Sequence, residues 1–159
     1  MRTFHTGLCY WRRSKALAAK AEPCQMTAAN GLLTLTTRTG TAFSVPIAEV
    51  AAKSSMFGTM TLTAAGQSYD MIPGMGSALA ADYTPAQLAS VESARGQAAG
   101  AGWKVPGKLG SGVIVGATTS YDAVVTGSGL IDSFILIGEM RSWSKSWLSV
   151  LGADGAKVG

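Results

Sequence analysis

Histidine, cysteine and charged residues are all scarce in this sequence of 159 residues. Its one histidine, His5, has no cysteine or carboxylate at ligand spacing, which excludes a recognisable histidine-based triad or metal site and leaves an ordinary surface histidine. The two cysteines, Cys9 and Cys24, fit no metal signature, and either a disulfide or two free thiols is compatible with them. We therefore expect no catalytic and no metal-binding residue.

The glycine-rich stretches lack the residues that phosphate-binding loops require. Lys108 is followed by Leu109, where a P-loop needs serine or threonine after its lysine. Gly127-Ser128-Gly129 continues into Leu130 to Asp132, where a dinucleotide-binding loop needs a further small residue. We therefore expect no cofactor and a protein that is not an enzyme. An enzyme with an unrecognised site stays open as an alternative.

Long hydrophobic runs are also missing. The most apolar stretch, residues 130–140, is interrupted by Asp132 and Glu139 and is shorter than the roughly 20 residues that a membrane span needs. The first residues contain no apolar run before a small-residue cleavage site. We expect a cytoplasmic location, with association to a membrane surface as the alternative.

The charge that is present is unevenly placed. Residues 1–21 hold five of the 13 basic residues and no acid, whereas the rest of the chain holds eight basic and nine acidic residues. A nucleic-acid-binding domain would spread its basic residues over one face of the fold, so we expect no nucleic-acid partner. Charged residues make up only 14% of the chain, which favours a protein partner or a homo-oligomer.

The basic N-terminal segment is the first candidate for binding. An anionic membrane attracts each nearby lysine or arginine by about 1 kcal/mol, and tryptophan is suited to the membrane interface. The alternative is a solvated helix over residues 8–21, ended by Pro23, whose aromatic residues pack on the rest of the domain. The candidate residues are Trp11, Arg12, Arg13, Lys15 and Lys20.

Alternating apolar and polar residues predict four strands, at residues 31–37, 41–47, 57–63 and 68–72. Pro46 removes a backbone donor and places the second of them at an edge of the sheet. Residues 47–53 fit one helical turn or a wide connection. Short connections make adjacent antiparallel pairing the default, which predicts a β-meander.

The last half of the chain is predicted to be mainly helical. Thr84 and Pro85 are typical of a helix start, and the helix should run over residues 85–99. Residues 113–126 fit a short helix or a strand, and residues 129–151 fit a helix. On this second helix, Trp143 and Trp147 share a face, where they serve either as core residues or as a binding hot spot for a partner.

These elements divide the chain into four parts. Residues 1–23 form a basic N-terminal segment, and residues 24–100 form the β-meander and its helix. Residues 101–112 are a glycine-rich linker. Residues 113–159 form a helical hairpin that packs on the sheet or on a partner. The fold class is α+β.

Residues 31–73 resemble the antiparallel meander of bacterial pleckstrin-homology-like (PH/GRAM-type) domains. The segments GLLTLTTRTGTAFSVPIAEV and MFGTMTLTAAGQSYDMI carry the resemblance. It implies a partly open barrel closed at one end by a helix, and binding of lipids, peptides or proteins instead of catalysis. Members that bind phosphoinositides place several basic residues around the first strand–strand loop. In this sequence only Arg38 is near that loop, so the resemblance does not favour a lipid headgroup there.

The sequence thus predicts a non-enzymatic interaction module that binds a protein or a second copy of itself. The alanine- and glycine-rich composition is typical of a small accessory protein of bacteria or their phages. The alternative function is a peripheral membrane adaptor that uses the basic N-terminal segment.

Overall fold

The computed structural model describes residues 4–13, 21–72, 83–100, 114–116, 120–121 and 130–159. Over these residues the fold is α+β, with ten strands, two α-helices and one 3₁₀ turn at Ile47–Glu49. The strands are β1 Phe4–Trp11, β2 Glu22–Ala29, β3 Leu32–Thr36, β4 Thr41–Pro46, β5 Ala51–Ser54, β6 Met60–Ala64, β7 Gln67–Ile72, β8 Ile114–Gly116, β9 Ser120–Tyr121 and β10 Lys157–Val158. The helices are α1 Pro85–Gly100 and α2 Leu130–Ala153.

Eight strands form a continuous path in the order β10-β5-β6-β7-β1-β2-β3-β4. Neighbours on this path are antiparallel, except that β10 runs parallel to β5. β1 pairs with β2 along its whole length, and its other edge is shared by β8 near His5 and by β7 at Tyr10 and Trp11. β1 therefore joins the four-stranded half β1–β4 to the three-stranded half β5–β7.

Both halves of the sheet contribute to one hydrophobic core. Strand side chains such as Met26, Leu33, Phe43 and Leu62 are buried together with one face of α2. The residues that α2 supplies to this core are Trp143, Trp147, Val150 and Leu151. The two halves therefore pack around the same interior, which α2 helps to fill.

The opposite face of β1 and β2 is covered by α1 and the residues before it. The Tyr83 hydroxyl donates a hydrogen bond to the Cys9 carbonyl oxygen at 3.2 Å, and Gln87 Nε2 donates to the Pro23 carbonyl oxygen at 2.9 Å. The Tyr83 ring also lies 4.9 Å from the Tyr10 ring, centroid to centroid. β1 is consequently buried on both faces, and Leu8 and Tyr10 are buried as fully as core residues.

The four predicted strands and the first helix are confirmed, but the predicted meander pairing is only partly right. The strands are present as β3, β4, β6 and β7, and the pairs β3–β4 and β6–β7 are antiparallel as expected. The expected pairing of β4 with β6 is wrong, because β5 takes the place beside β6 and β4 ends the path at an edge, as Pro46 predicts. α1 begins at Pro85 after Thr84, which forms reciprocal capping hydrogen bonds with Gln87. Residues 47–53 hold the predicted helical turn and then the additional strand β5.

The predicted helix over residues 8–21 is wrong. Leu8 to Trp11 belong to β1, and the next described element is β2, whose Pro23 pairs with Tyr10. Residues 14–20 of the predicted helix lie outside the described residues. A strand covered on both faces shows no polar–apolar alternation, so its pattern cannot be recognised by period. The boundary drawn at residue 23 falls inside β2, and residues 4–11 belong to the sheet.

The predicted helical hairpin in residues 113–159 is wrong as well. The described residues of this range contain the short strands β8 and β9, one helix, α2, and β10. The strand alternative for residues 113–126 therefore holds where that segment is described. Residues 101–112, predicted as a linker, lie outside the described residues.

Candidate functional site

The end of β1 brings aromatic and basic side chains together. Trp11 is half-buried, and its ring centroid lies 4.9 Å from that of Tyr69. The Tyr69 ring centroid lies 4.9 Å from that of Phe43 in the core. The guanidinium carbon of Arg13 lies 4.3 Å from the Trp11 ring centroid. A cation held over an indole face is attracted by the ring electrons. The series of aromatic contacts thus extends from the core to an exposed arginine.

The backbone after β1 is held in place at this point. The Arg12 backbone N–H donates a hydrogen bond to the Asp70 carbonyl oxygen on β7 at 2.8 Å. Arg12 and Arg13 are both exposed, so their charged groups face solvent while their backbone stays fixed to the sheet. We call Trp11, Arg12, Arg13 and Tyr69 the aromatic–arginine cluster.

An ion pair borders the cluster. Glu22 lies directly opposite Trp11 in the β1–β2 register, and its carboxylate accepts hydrogen bonds from Arg38 Nη2 at 3.0 Å and Nε at 3.3 Å. These hydrogen bonds from Arg38 lower the pKa of Glu22, against a smaller opposing effect of burial. The charge of Arg38 is therefore largely matched by Glu22, whereas that of Arg13 is not paired with a carboxylate in any salt bridge of the described residues.

The connection from β1 to β2 concentrates positive charge. Residues 12–20 carry four basic side chains and no acidic one. Arg12 and Arg13 lie at its start and are described, whereas Lys15 and Lys20, the other two sequence candidates, lie outside the described residues. The structure thus brings three of the five N-terminal candidates, Trp11, Arg12 and Arg13, into one cluster.

The two tryptophan candidates on α2 lie elsewhere. Trp143 and Trp147 are both completely buried in the shared core, with 0% of their surface exposed. Their indole N–H groups have no hydrogen-bond partner among the described residues. The burial leaves no accessible surface for a partner, and of the two readings of this pair the core-packing one agrees with the structure.

The two cysteines face each other across β1 and β2. Cys9 pairs directly with Cys24 in the strand register, and both are buried free thiols. Burial raises the pKa of Cys9 well above its usual range and raises that of Cys24 to about 12. A thiol that stays protonated is a poor nucleophile, so this pair is not suited to covalent catalysis.

His5 is not a surface residue, contrary to the sequence prediction. Its exposed fraction is 3%, and by strand alternation it shares the inner face of β1 with Cys9. Burial lowers its pKa, against a smaller opposing effect of Asp154. A neutral buried imidazole adds nothing to the basic cluster.

Sequence reasoning missed two members of the site region. The sequence pattern assigns Tyr69 only to a strand, and Glu22 falls within the basic N-terminal segment of residues 1–23 with no role predicted for it. The alternation of Cys24, Met26 and Ala28 with polar neighbours does mark β2, and recognising it would have placed Glu22 at the start of a strand. The pairing of Trp11 with Tyr69, by contrast, depends on β1 and β7 being neighbours, which no local pattern shows.

Metal-binding and membrane-spanning features are absent from the described residues. No group of three or more histidine, cysteine, aspartate or glutamate side chains in the described part of the chain could hold a metal ion. None of the helical segments described is both long enough and apolar enough to cross a membrane.

The comparisons with known proteins give no relative. No protein-family model matches the chain, and no curated protein and no solved structure is significantly similar to it.

Proposed function

We propose that this protein is a non-enzymatic binding module with a PH-like architecture, which docks on an anionic membrane surface through the basic β1–β2 connection. The proposal extends to a cytoplasmic location at such a membrane. One observation carries it: Arg12 and Arg13 are exposed at the end of β1, where Arg13 stacks on Trp11. This arrangement opens a connection with four basic residues and no acidic one.

The element order supports the PH-like part of the proposal. The resemblance implies a meander that forms a partly open barrel with a helix at one end. The order β1–β4 followed by β5–β7, with a later helix packed into the common core, is compatible with that plan. The short strands β8 and β9 and helix α1 are additions to it.

The position of the basic residues supports the lipid part. The resemblance places the basic residues of phosphoinositide-binding members around the first strand–strand loop. In this chain β1 and β2 precede the strands that carry the resemblance, and the sequence between them holds Arg12, Arg13, Lys15 and Lys20, whereas Arg38 stands alone between β3 and β4. With β1 and β2 taken as the first two strands of that plan, basic residues stand between its first two strands, as the resemblance implies for lipid-binding members.

Flotation with lipid vesicles tests the proposal. We expect the protein to float with phosphatidylcholine–phosphatidylserine vesicles and not with pure phosphatidylcholine. The double substitution Arg12→Gln, Arg13→Gln should weaken binding by about 2 kcal/mol, or roughly thirtyfold, because each basic residue near an anionic surface contributes about 1 kcal/mol. Binding should also fall as salt is raised, because salt screens exposed charges.

A matched control separates local from general charge effects. Lys157→Gln removes one exposed positive charge at β10, and its effect should be well below that of Arg12→Gln alone. Equal losses for these two single variants, or equal binding to neutral vesicles, would contradict the proposed site.

A protein partner or a second copy of the chain is the other proposal. The exposed edge of β4, which pairs only with β3 among the described strands, supports it because an unpaired edge can accept a strand from another chain. A mass measurement in solution tests self-association, and a strictly monomeric protein that captures no partner in a pull-down would exclude this proposal.

A further inference from the structure

The turn between β5 and β6 exposes two large apolar side chains. Met56 is 70% exposed and Phe57 is 59% exposed, the two highest values among the large hydrophobic residues of the described chain. Two adjacent exposed side chains of this size form an apolar patch on the turn, which water solvates poorly. We call residues 55–59 the apolar turn.

Hydrogen bonds hold the apolar turn in one conformation. The Ser55 backbone N–H donates to the Thr59 carbonyl oxygen at 2.8 Å, and the Gly58 N–H donates to the Ser55 carbonyl oxygen at 3.1 Å. The Ser55 hydroxyl oxygen also accepts from the backbone N–H groups of Phe57 and Thr59 at 3.2 Å. The exposure of Met56 and Phe57 is thus built into an ordered turn, and little conformational entropy remains to be lost on binding.

Helix α2 supports the turn and contributes two positively charged side chains next to it. Arg141 Nε donates to the Met56 carbonyl oxygen at 2.6 Å, and the Ser144 hydroxyl donates to the Gly58 carbonyl oxygen. Arg141 and Lys145 are four residues apart on α2, and both are exposed. Together with Ser54, Ser55 and Met56 they line a groove of about 250 Å³, and none of its lining residues is acidic.

We propose that the apolar turn is a second membrane contact, at which Met56 and Phe57 enter the interfacial region of an anionic bilayer while Arg141 and Lys145 meet its headgroups. The inference shares its target surface with the proposed function above but uses a different part of the molecule. Interfacial binding grows with buried apolar area and with attraction to anionic lipid, and the turn supplies both.

The small apolar area of the turn favours a bilayer over a protein. A stable protein interface buries about 800 Å² on each partner, which calls for a broad patch of some 20 to 30 residues. The apolar turn offers two large apolar side chains with Arg141 and Lys145 beside them. A fluid interface accepts such a turn without a complementary pocket, and its negative charge complements Arg141 and Lys145.

The first test compares variants in flotation with phosphatidylcholine–phosphatidylserine vesicles. The double substitution Met56→Ser, Phe57→Ser should reduce binding about tenfold or more, because it removes the apolar area that enters the interface. Lys145→Gln should reduce it about fivefold. Leu32→Ser, which changes another exposed apolar residue at the start of β3, is the matched control and should change binding less than twofold.

The second test reads the environment of the turn directly. Because Cys9 and Cys24 are buried, an environment-sensitive fluorophore can be attached selectively to the thiol introduced by Met56→Cys. Its emission should shift to shorter wavelength when the mixed vesicles are added. The same fluorophore attached through Ser93→Cys, on the exposed face of α1, should show no shift.

The outcomes separate this inference from the proposed function. Loss of binding in the Met56→Ser, Phe57→Ser variant together with the fluorophore shift supports the apolar turn, whatever the Arg12 and Arg13 variants do. Unchanged binding of that variant with no shift overturns the inference, and the proposed function survives if Arg12→Gln, Arg13→Gln weakens binding. If the native protein does not bind the mixed vesicles, both the proposed function and this inference are wrong.

Discussion

At the scale of single residues, burial decides which side chains can do chemistry. Cys9, Cys24 and His5 are the residues that a search for reactive groups selects first, and all three lie in the interior. Their surroundings hold each of them neutral, because desolvation disfavours the charged form of thiols and imidazole alike. The candidate binding residues are instead exposed: Arg12 and Arg13 at the end of β1, and Met56 and Phe57 on the apolar turn.

The cysteine pair yields a prediction on thiol reactivity. In the native protein both thiols should react with a thiol-specific reagent at least a hundredfold more slowly than in denaturant, about the ratio expected when the pKa rises by two units or more and access is lost. An exposed thiol introduced by Ser93→Cys should react at the unfolded rate. Fast reaction of both native thiols would show that the β1–β2 pair is accessible.

The same raised pKa fixes the sign of a pH effect. The folded pKa of Cys24, about 12, lies above the unfolded value of about 8.5, so the unfolded state loses its proton first as pH rises. The contribution of this thiol to stability is therefore complete below about pH 8.5 and is lost progressively above it.

At the scale of elements, a strand is easiest to recognise from sequence when one of its faces meets water. β3, β4, β6 and β7 have polar outward residues and were predicted, whereas β1 is covered by the core on one side and by α1 on the other. Its residues fit strand and helix equally well in isolation. The charge pattern predicts the arginines that follow β1, but it does not predict the contact of Arg13 with Trp11 or that of Trp11 with Tyr69.

The start of α1 gives a prediction at this scale. Thr84→Ala should lower the free energy of unfolding by about 1 kcal/mol, because it removes the side-chain acceptor for the Gln87 N–H at the first turn. Gln87→Ala should cost more, about 2 kcal/mol, since it removes both the acceptor for the Thr84 N–H and the donor to the buried Pro23 carbonyl oxygen. Urea unfolding measures both effects.

The control for these two variants is Ser93→Ala, on the exposed face of the same helix. It should change stability by less than about 0.5 kcal/mol. Equal effects of Ser93→Ala and Gln87→Ala would show that α1 is not clamped to β2 in the way that the hydrogen bonds indicate.

At the scale of the whole molecule, α2 connects the two halves of the sheet. Its two buried tryptophans occupy the same core as residues from β2, β3, β4, β6 and β7. The binding surfaces depend on this arrangement, because α2 also supports the apolar turn through Arg141 and Ser144. A substitution that destabilises the core should therefore also disturb the apolar turn.

Trp147 is the position to test this dependence. Trp147→Ala should destabilise the protein by about 3–5 kcal/mol, which is a large part of the stability of a single domain. Trp147→Phe should cost less than half as much, because it keeps much of the ring and removes an indole N–H that has no partner among the described residues.

Denaturant unfolding followed by circular dichroism and by fluorescence measures these effects. The two probes should give coincident transitions, as expected of one cooperative core. Separate transitions for the two probes would show that the halves of the sheet unfold independently.

The sequence by itself determined the features that depend on neighbours along the chain. These are the strands with one wet face, the start of α1 at Thr84 and Pro85, the edge position of Pro46 and the excess of positive charge before residue 22. Only the tertiary structure decided that β1 is a strand, that Trp143 and Trp147 are core residues, and that Met56 and Phe57 stay exposed beside Arg141. Those outcomes depend on contacts between residues far apart in sequence, and local propensity carries no information about which distant surface will cover a side chain.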